Sequence, residues 1–324
     1  MISIVICSVN QKLLTQLKIN IEETIGVPYQ IVAVNNTGSS NGICAVYNRG
    51  GQKAAFPIIC FIHEDIVFNT DNWGQLIINH FHDNPKIGLI GLAGGDTKGI
   101  VPTSWFTSFK SRTNNVFQLY KNDIQGARHQ HFFQPVAHPG RDNVVTIDGV
   151  FMCTRREIFH EMKFDEILLK GFHGYDIDYS LQVRTKYQVV VIYDILIHHF
   201  SEGNLNREWL DSIKKVTKKW RKHLPVSTLP LSPGEYTFFH WKSLQVFIEH
   251  LFRLDFSYAE IIGYYLKYSF SRFFNLRRCG SLGKYIIQSF YKKFRRQGAH
   301  DLAAAYPMDT SGIVTKMNGI SKHN

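Results

Sequence analysis

The chain has 324 residues, of which 44% are hydrophobic and 19% charged, and its formal net charge is +11. This composition predicts a folded core and excludes a largely disordered chain. The length allows one large α/β domain with a smaller addition. The five cysteines are odd in number and form no C-x-x-C pair, which argues against a disulfide framework and a cysteine zinc site. We therefore expect a reducing compartment.

The N-terminal sequence does not resemble a secretory signal. Its first ten residues lack a basic segment, and their apolar run is too short. No stretch of 18 apolar residues occurs that would predict a membrane-spanning helix. We expect a cytoplasmic protein, with contact at the inner face of the membrane as a further hypothesis.

Short apolar runs alternate with amphipathic stretches through the first hundred residues. Several runs are continuous and β-branched, which is typical of strands buried on both faces. Strands are predicted at 2–7, 29–34, 58–62 and 87–93, and helices at 11–25, 41–55 and 72–82. This order predicts an α/β fold with a doubly wound, mainly parallel sheet.

The pattern weakens between residues 94 and 143, where we expect mobile loops with at most one ordered piece. Beyond it we predict strands at 144–153 and 188–193, and helices at 155–161, 175–185 and 208–221. The segment 241–297 is predicted to be helical. Together these patterns suggest a catalytic domain at 1–203, a basic and aromatic helical extension at 204–300, and a loose tail at 301–324.

Four polar motifs follow predicted strands or open the helix after them. In an open parallel sheet, ligands bind beyond the carboxyl ends of the strands. Each motif alone has a plain structural explanation as a turn, a helix cap or a satisfied polar residue. Their shared position favours a ligand site. The motifs lie at 35–42, 61–65, 171–179 and 196–203.

The chemistry of these motifs fits a phosphate-bearing substrate. The carboxylates and imidazole of His63-Glu64-Asp65 suit a divalent cation that bridges two phosphates. The amides of Asn35 and Asn36 can pair with the edge of a nucleobase. At the start of a helix, Asp176 can accept the proton of an acceptor hydroxyl.

Five short sequence strings, in their order along the chain, indicate a family resemblance. The chain resembles the family 2 glycosyltransferases of GT-A fold, closest to a bacterial branch, over roughly residues 2–203. The resemblance implies transfer of a sugar from a nucleotide diphosphate donor to an acceptor hydroxyl, dependent on Mn²⁺ or Mg²⁺, with inversion at the anomeric carbon. The strings are NNTGSSNG (35–42), YNRG (47–50), FIHED (61–65), GFHGYDIDYSL (171–181) and HHFSEG (198–203).

The resemblance assigns a metal site to three positions. Asp65 matches the metal-binding last residue of the family's D-x-D motif. His63 replaces the leading acid of that motif, which leaves contact with either ribose or metal open. His199, or else His198, matches a third metal ligand seen in some members.

The resemblance also assigns substrate contacts. Asp176 matches the base, and Asp148 matches a residue facing the donor or acceptor sugar. Asn35 and Asn36 stand where the family carries an acidic pair that reads the nucleobase. The remaining residues expected to line the nucleotide-sugar site are Ser8, Asn10, Asn48 and Glu64.

Most of the excess charge lies near the C-terminus. Residues 241–297 hold eleven Lys and Arg against three acids, a difference of +8. Basic and apolar residues within 285–296 are patterned like an interfacial helix, which predicts peripheral membrane contact and either a glycan or a lipid-linked acceptor. The alternative is a set of packed helices with a solvated basic face. No nucleic-acid-binding motif accompanies the charge, so nucleic acid is not an expected partner.

Two other functions compete with glycosyl transfer. A sugar nucleotidyltransferase would carry a glycine-rich, basic phosphate loop after the first strand, where this chain reads Ser8-Val9-Asn10-Gln11. A binding or scaffold protein that has lost turnover is the second alternative. The replacement of expected acids by His63 and by Asn35-Asn36 favours it, whereas Asp65 and Asp176 oppose it.

Overall fold

The computed structural model describes residues 1–105, 112–118, 130–133, 140–201, 203 and 205–305. The chain divides into two compact units, Met1–Asp255 and Phe256–Asn324. The first unit therefore extends beyond residue 203. The boundary that we place there between catalytic domain and extension concerns function and stays a prediction.

The predicted strands and helices occur in the predicted order, and further short strands that the sequence did not predict lie between them. The strands are β1 (Ile2–Ser8), β2 (Tyr29–Asn35), β3 (Ile58–Ile62), β4 (Ile66–Phe68), β5 (Ile87–Gly91), β6 (Ala93–Gly95), β7 (Thr97–Lys98), β8 (Arg112–Gln118), β9 (Gln130–Phe133), β10 (Arg141–Val144), β11 (Thr146–Ile147), β12 (Phe151–Arg155), β13 (Gln188–Ile192), β14 (Ile197–His199) and β15 (Val226–Ser227). The helices are α1 (Gln11–Thr24), α2 (Ile43–Gln52), α3 (Trp73–Asp83), α4 (Arg156–Glu161), α5 (Tyr175–Val183), α6 (Arg207–Trp220), α7 (Pro233–Arg253), α8 (Tyr258–Ser269) and α9 (Leu276–Ala305).

A seven-stranded mixed sheet forms the core of the first unit. Its strand order is β10-β13-β5-β12-β3-β1-β2. Strand β1 pairs in parallel with β2 and β3, and β13 pairs in parallel with β5, whereas β12 and β10 run antiparallel to their neighbours. Five of the seven strands thus share one direction, and the predicted α/β class with a mainly parallel sheet is confirmed.

Strand β2 differs from its prediction as a buried strand. It is the last strand of the sheet, and of its seven residues only Val32 is buried. The apolar run Ile31–Val34 suggested two covered faces, but an edge strand has a neighbour on one side only. Its carboxyl end is therefore open to solvent beside the end of β1.

A second sheet contains part of the segment that we expected to be loops. Its order is β11-β6-β8-β14-β4, with β9 paired to β8. The segment 94–143 contributes strands to it because β8 has backbone partners in β6 and β14. The sequence of β8, Arg112–Gln118, is mostly polar and lacks a run of apolar residues, so its pairing was not visible in the pattern.

The cysteine expectation is wrong for one pair. Cys60 on β3 and Cys153 on β12 are directly opposite in the antiparallel register, with Cα atoms 4.1 Å apart, and are joined in a disulfide. They are 93 residues apart in sequence, so no spacing signals the contact. Cys7, Cys44 and Cys279 are free.

The C-terminal helices begin earlier and end later than predicted. Helix α7 starts at Pro233 behind a capping box formed by Ser232 and Glu235, and it buries Leu244, Ile248 and Leu251 in the first unit. Helix α9 continues to Ala305, so the tail predicted from residue 301 is wrong for 301–305, and 306–324 lie outside the described residues. Across the described ranges, the helices lack the combination of length and apolar character needed to cross a bilayer.

Candidate active site

Three motif residues from two segments meet at the end of the first sheet. His63 and Asp65 follow β3, and His199 ends β14. The Asp65 carboxylate lies 3.8 Å from His63 Nδ1 and 3.6 Å from His199 Nε2. One ligand atom from each of the three lies within 4.8 Å of the others, so the group could hold one metal ion.

The backbone fixes which histidine of β14 joins the cluster. Strand β14 pairs with β4, and His199 is opposite Ile66, one residue beyond Asp65. The amide of Phe200 also donates to the carbonyl of Asp65 at 2.9 Å. Because successive side chains of a strand point to opposite faces, His198 points away from the side on which His199 meets Asp65. The structure thus brings His199 into the cluster.

Glu64, between His63 and Asp65 in the sequence, bonds to the backbone of another strand end. The buried Glu64 carboxylate accepts hydrogen bonds from the backbone amides of Val9 and Asn10 at 3.0–3.3 Å. It therefore joins the end of β3 to the end of β1. These bonds indicate that Glu64 shapes the site, and its predicted contact with the nucleotide stays a prediction.

The ends of β1 and β2 form a polar edge next to this junction. Ser8 is opposite Asn35 in the register, and the Ser8 carbonyl accepts from the Asn36 amide at 2.8 Å. Asn10 caps α1 by accepting from two backbone amides. The Asn35 side chain is exposed and accepts from the Thr37 amide, whereas the buried Asn36 side chain donates to the Asn41 carbonyl. Asn35 is thus the more accessible of the two for a nucleobase.

Asn48 lies in another environment. It is buried on α2, where its amide nitrogen donates to the Phe164 carbonyl and to Glu166, both at 2.9 Å. Its side-chain oxygen accepts from the Phe164 amide at 3.0 Å. Both amide hydrogens are therefore used to anchor the segment after α4, which is a structural role, and the predicted nucleotide contact has no support from these bonds.

The predicted base, Asp176, lies near the carboxylate of Asp148 and the ammonium group of Lys98. Burial and the nearby Asp148 charge raise the pKa of Asp176 to about 7. The Asp148 carboxylate also accepts from the Val150 amide at 2.8 Å, which fixes the turn between β11 and β12. Asp148 and Asp176 thus lie close enough for their charges to interact.

A buried lysine near this pair was missed by the sequence reasoning. Lys98 is fully buried, and its ammonium group donates to the Thr103 carbonyl, the Thr103 hydroxyl and the Ser104 carbonyl at 2.5–2.9 Å. Burial lowers the pKa of Lys98 to about 7, against the opposing influence of Asp176. Nothing in the sequence around Lys98 marks it, because a single lysine in a loop-like segment is ordinarily solvated.

Asp178 faces away from the site. It is 1% exposed and accepts from Lys219 Nζ at 2.8 Å and from Trp220 Nε1 at 2.7 Å. Both partners belong to α6, so Asp178 attaches α5 to that helix. Asp176 and Asp178 therefore serve opposite faces of the first turn of α5.

A cleft of about 400 Å³ lies beside the cluster of His63, Asp65 and His199. Its size falls within the range of small-molecule pockets. Helix α1 forms one wall and β4 another, and Asp65 lies between them. The lining residues are Leu13, Gln16, Leu17, Glu64, Asp65, Ile66, Val67 and Phe200.

Several known proteins are similar to parts of this chain. The streptomycin biosynthesis protein StrF of Streptomyces griseus is 20% identical over 206 residues, 62% of this chain and 65% of that protein. The chain thus spans slightly less than two thirds of the length of this relative. Among solved structures, GalNAc-T7 with UDP, GalNAc and Mn²⁺ has a TM-score of 0.49 at 11% identity, covering 95% of this chain and 58% of that chain. S. aureus TarS 1-349 in complex with UDP has a TM-score of 0.46 at 12% identity, covering 82% and 75%.

The family comparison is more extensive. The model of a family described as glycosyltransferase-like matches residues 3–223, more than half of the 324 residues. This match includes all the strand-end motifs and confirms the resemblance that they predict. The chain belongs to the glycosyltransferase-like family.

Proposed function

We propose that the protein transfers a sugar from a nucleotide diphosphate donor to an acceptor hydroxyl. The observation that carries this proposal is the convergence of His63, Asp65 and His199 at the end of the first sheet, in a chain whose motif order also supplies Asp176. An open α/β sheet binds its ligand at this end. The exposed Asn35 lies along the same edge and is available to a nucleobase.

The donor set fits a divalent metal. His63, Asp65 and His199 would hold it with two imidazole nitrogens and one carboxylate oxygen. Imidazole suits transition metals better than Mg²⁺, which prefers oxygen ligands, and we take Mn²⁺ as the ion to test because it also accepts a carboxylate. When bound, the metal would offset the charge that develops on the departing diphosphate.

Asp176 supplies the base. The acceptor hydroxyl loses its proton to the Asp176 carboxylate, the acceptor oxygen bonds to the anomeric carbon, and the bond from that carbon to the diphosphate oxygen breaks. Attack from the side opposite the diphosphate inverts the anomeric carbon. A pKa of about 7 suits this task, because a base is most effective when its pKa lies near the working pH.

The test is release of nucleoside diphosphate from a panel of UDP-, GDP- and dTDP-sugars, by slow hydrolysis and with candidate acceptors. We expect release from at least one donor, dependent on Mn²⁺ and abolished by a chelator. Binding of a donor without any release would favour the scaffold alternative instead. Formation of a nucleotide sugar from a nucleoside triphosphate and a sugar phosphate would favour the nucleotidyltransferase alternative.

We also propose that the second unit contacts an anionic membrane surface. Four large apolar side chains recur every four residues along α8 and just beyond it, and they are 39–65% exposed: Tyr258, Ile262, Leu266 and Phe270. Residues 256–292 contain six Lys and Arg against one acid. An exposed apolar stripe within a basic segment is the pattern of a helix that lies in a membrane interface. Such a surface would bring the site to a lipid-linked acceptor.

A further inference from the structure

Tyr175 connects two of the motif segments at the site. Its side chain is buried, with 4% exposed, at the first position of α5. Its hydroxyl donates to the Gly149 carbonyl at 3.1 Å and lies 2.7 Å from His63 Nε2. Gly149 follows Asp148, and Tyr175 precedes Asp176, so one hydroxyl links the metal-ligand segment to both acidic segments.

The direction of these bonds determines the tautomer of His63. In the structure the Tyr175 hydroxyl donates its single hydrogen to the Gly149 carbonyl, which can only accept. This bond direction puts a hydrogen on His63 Nε2, which donates it to the tyrosine oxygen. This leaves the lone pair on Nδ1, the atom that lies 3.8 Å from the Asp65 carboxylate. His63 therefore presents an acceptor nitrogen to the cluster.

The packing around Tyr175 holds the hydroxyl in this position. The ring makes an edge contact with Tyr47, with centroids 5.7 Å apart, and lies 6.3 Å from the Phe164 ring. A Cβ atom at position 149 would overlap the Tyr175 hydroxyl, so glycine is required there. The ring contacts do not depend on the hydroxyl, and we expect them to survive its removal, whereas the hydrogen bond between the Tyr175 and Tyr47 side chains would be lost with it.

We propose that Tyr175 is a positioning residue that fixes the tautomer and orientation of His63 as a metal ligand. The inference rests on the proposed function, because it takes His63 as a ligand. Metal-bound histidines commonly donate their second ring N–H to an oxygen acceptor, and loss of that acceptor typically weakens metal affinity about 10–100-fold. In this chain the acceptor is a tyrosine that the motif comparison does not assign.

The test measures Mn²⁺ affinity by electron paramagnetic resonance of the free ion, with a nucleoside diphosphate present. Tyr175→Phe should raise the dissociation constant about 10–100-fold. The matched control is Tyr179→Phe, which removes another buried hydroxyl from the same helix one turn further on and should leave the affinity unchanged. A change of less than about twofold in Tyr175→Phe, or an equal change in both variants, overturns the proposal.

A double-mutant cycle separates action through His63 from a general structural effect. In a His63→Ala background, Tyr175→Phe should cause no further loss of Mn²⁺ affinity. An undiminished further loss would overturn the positioning role. Absence of Mn²⁺ binding by the wild-type chain would instead overturn the metal site in the proposed function, so the two failures are distinguishable.

Discussion

At the scale of residues, Asp65, His63 and His199 each have a role in the cluster that can be tested on its own. Asp65 is central, since both histidine nitrogens lie within 4 Å of its carboxylate. Although a third of the His63 side chain is exposed, desolvation of its ring lowers its pKa, which favours the neutral form that a metal ligand requires. The replacement of an acid by His63 is therefore compatible with a retained metal site.

Asp65→Asn should weaken Mn²⁺ binding by removing the only charged ligand of the proposed set. The measurement is a Mn²⁺ titration followed by electron paramagnetic resonance in the presence of a nucleoside diphosphate. The control is Asp194→Asn, because Asp194 also pairs with a histidine, His80, at 2.9 Å but belongs to no proposed site. Equal Mn²⁺ affinities for the Asp65→Asn and Asp194→Asn variants would show that the metal ligands have been misassigned.

Asp176→Asn should lower the transfer rate about 10²–10⁴-fold while donor binding persists. In the wild type, the base works only when deprotonated, so the rate should fall as the pH drops through about 7. Rate profiles against pH and donor titrations of both proteins test this. Near-parental transfer by the variant would remove Asp176 from the mechanism.

The raised pKa of Asp176 also predicts a pH dependence of stability. Burial raises the folded-state pKa above the unfolded value near 3.8, so the folded chain binds more protons between these pH values. The contribution of Asp176 to the unfolding free energy should therefore decrease as the pH rises from about 4 to about 7. Urea unfolding of the wild type and Asp176→Asn across this range should reveal the difference, and parallel pH profiles would contradict it.

At the scale of elements, the attachment of α5 to α6 keeps the first turn of α5 in place. The buried Asp178 carboxylate contacts Lys219 and Trp220 near the end of α6. Lys219 also pairs with Asp165 at 2.9 Å. Asp178 thus connects α5, which carries Asp176, to α6. Helix α6 lies beyond residue 203 but within the range that the family matches.

Asp178→Asn should lower the unfolding free energy by about 1–3 kcal/mol, because a buried hydrogen-bonded charge is lost. A suitable control is Asp211→Asn on the surface of α6, where Asp211 is 56% exposed and pairs with Lys214. That change should cost about 0–1 kcal/mol. Denaturant unfolding of both variants decides the matter, and equal losses would mean that Asp178 contributes no more than a surface pair.

The sequence predicts elements with strong local patterns and fails where long-range pairing decides. The buried run Ile58–Ile62 is confirmed to the residue, because a short, continuous apolar run rich in isoleucine favours a buried strand. Strand β8 is predicted poorly because its partners β6 and β14 are distant in sequence. The Cys60–Cys153 pairing depends on the same kind of cross-strand register. The local sequence pattern also cannot predict that β12 lies between β3 and β5 and runs antiparallel to both.

In the candidate site, too, the sequence predicts residues that belong to local motifs and misses those defined by long-range contacts. The strand-end positions of His63, Asp65 and His199 follow from motif and topology, and the structure brings them together. Tyr175 and Lys98 could not be found in this way, because their importance comes from contacts with Gly149, His63 and Thr103. Such contacts depend on how distant segments pack, and no residue spacing encodes them.

At the scale of the whole molecule, membrane contact should depend on both charge and the exposed stripe of α8. The protein should bind phosphatidylglycerol-containing vesicles and dissociate as salt increases, because screening weakens attraction between exposed charges. Replacing both Ile262 and Leu266 by Gln should reduce binding. The control replaces Ile19 and Val246 by Gln. These two side chains are similarly exposed in the first unit, and their replacement should not reduce vesicle binding. Vesicle co-sedimentation measures both, and equal loss in the two double variants would contradict the assignment.

The most direct test of the account is a thermal-shift measurement on the full chain with nucleoside diphosphates, with and without Mn²⁺. The proposed site predicts that at least one nucleoside diphosphate raises the melting temperature strongly only when Mn²⁺ is present. At a ligand concentration of 100 times the dissociation constant, the gain should be about 2.7 kcal/mol. No stabilisation by any nucleoside diphosphate, or stabilisation that is equal without Mn²⁺ and unchanged in Asp65→Asn, would contradict a metal-dependent nucleotide-sugar site.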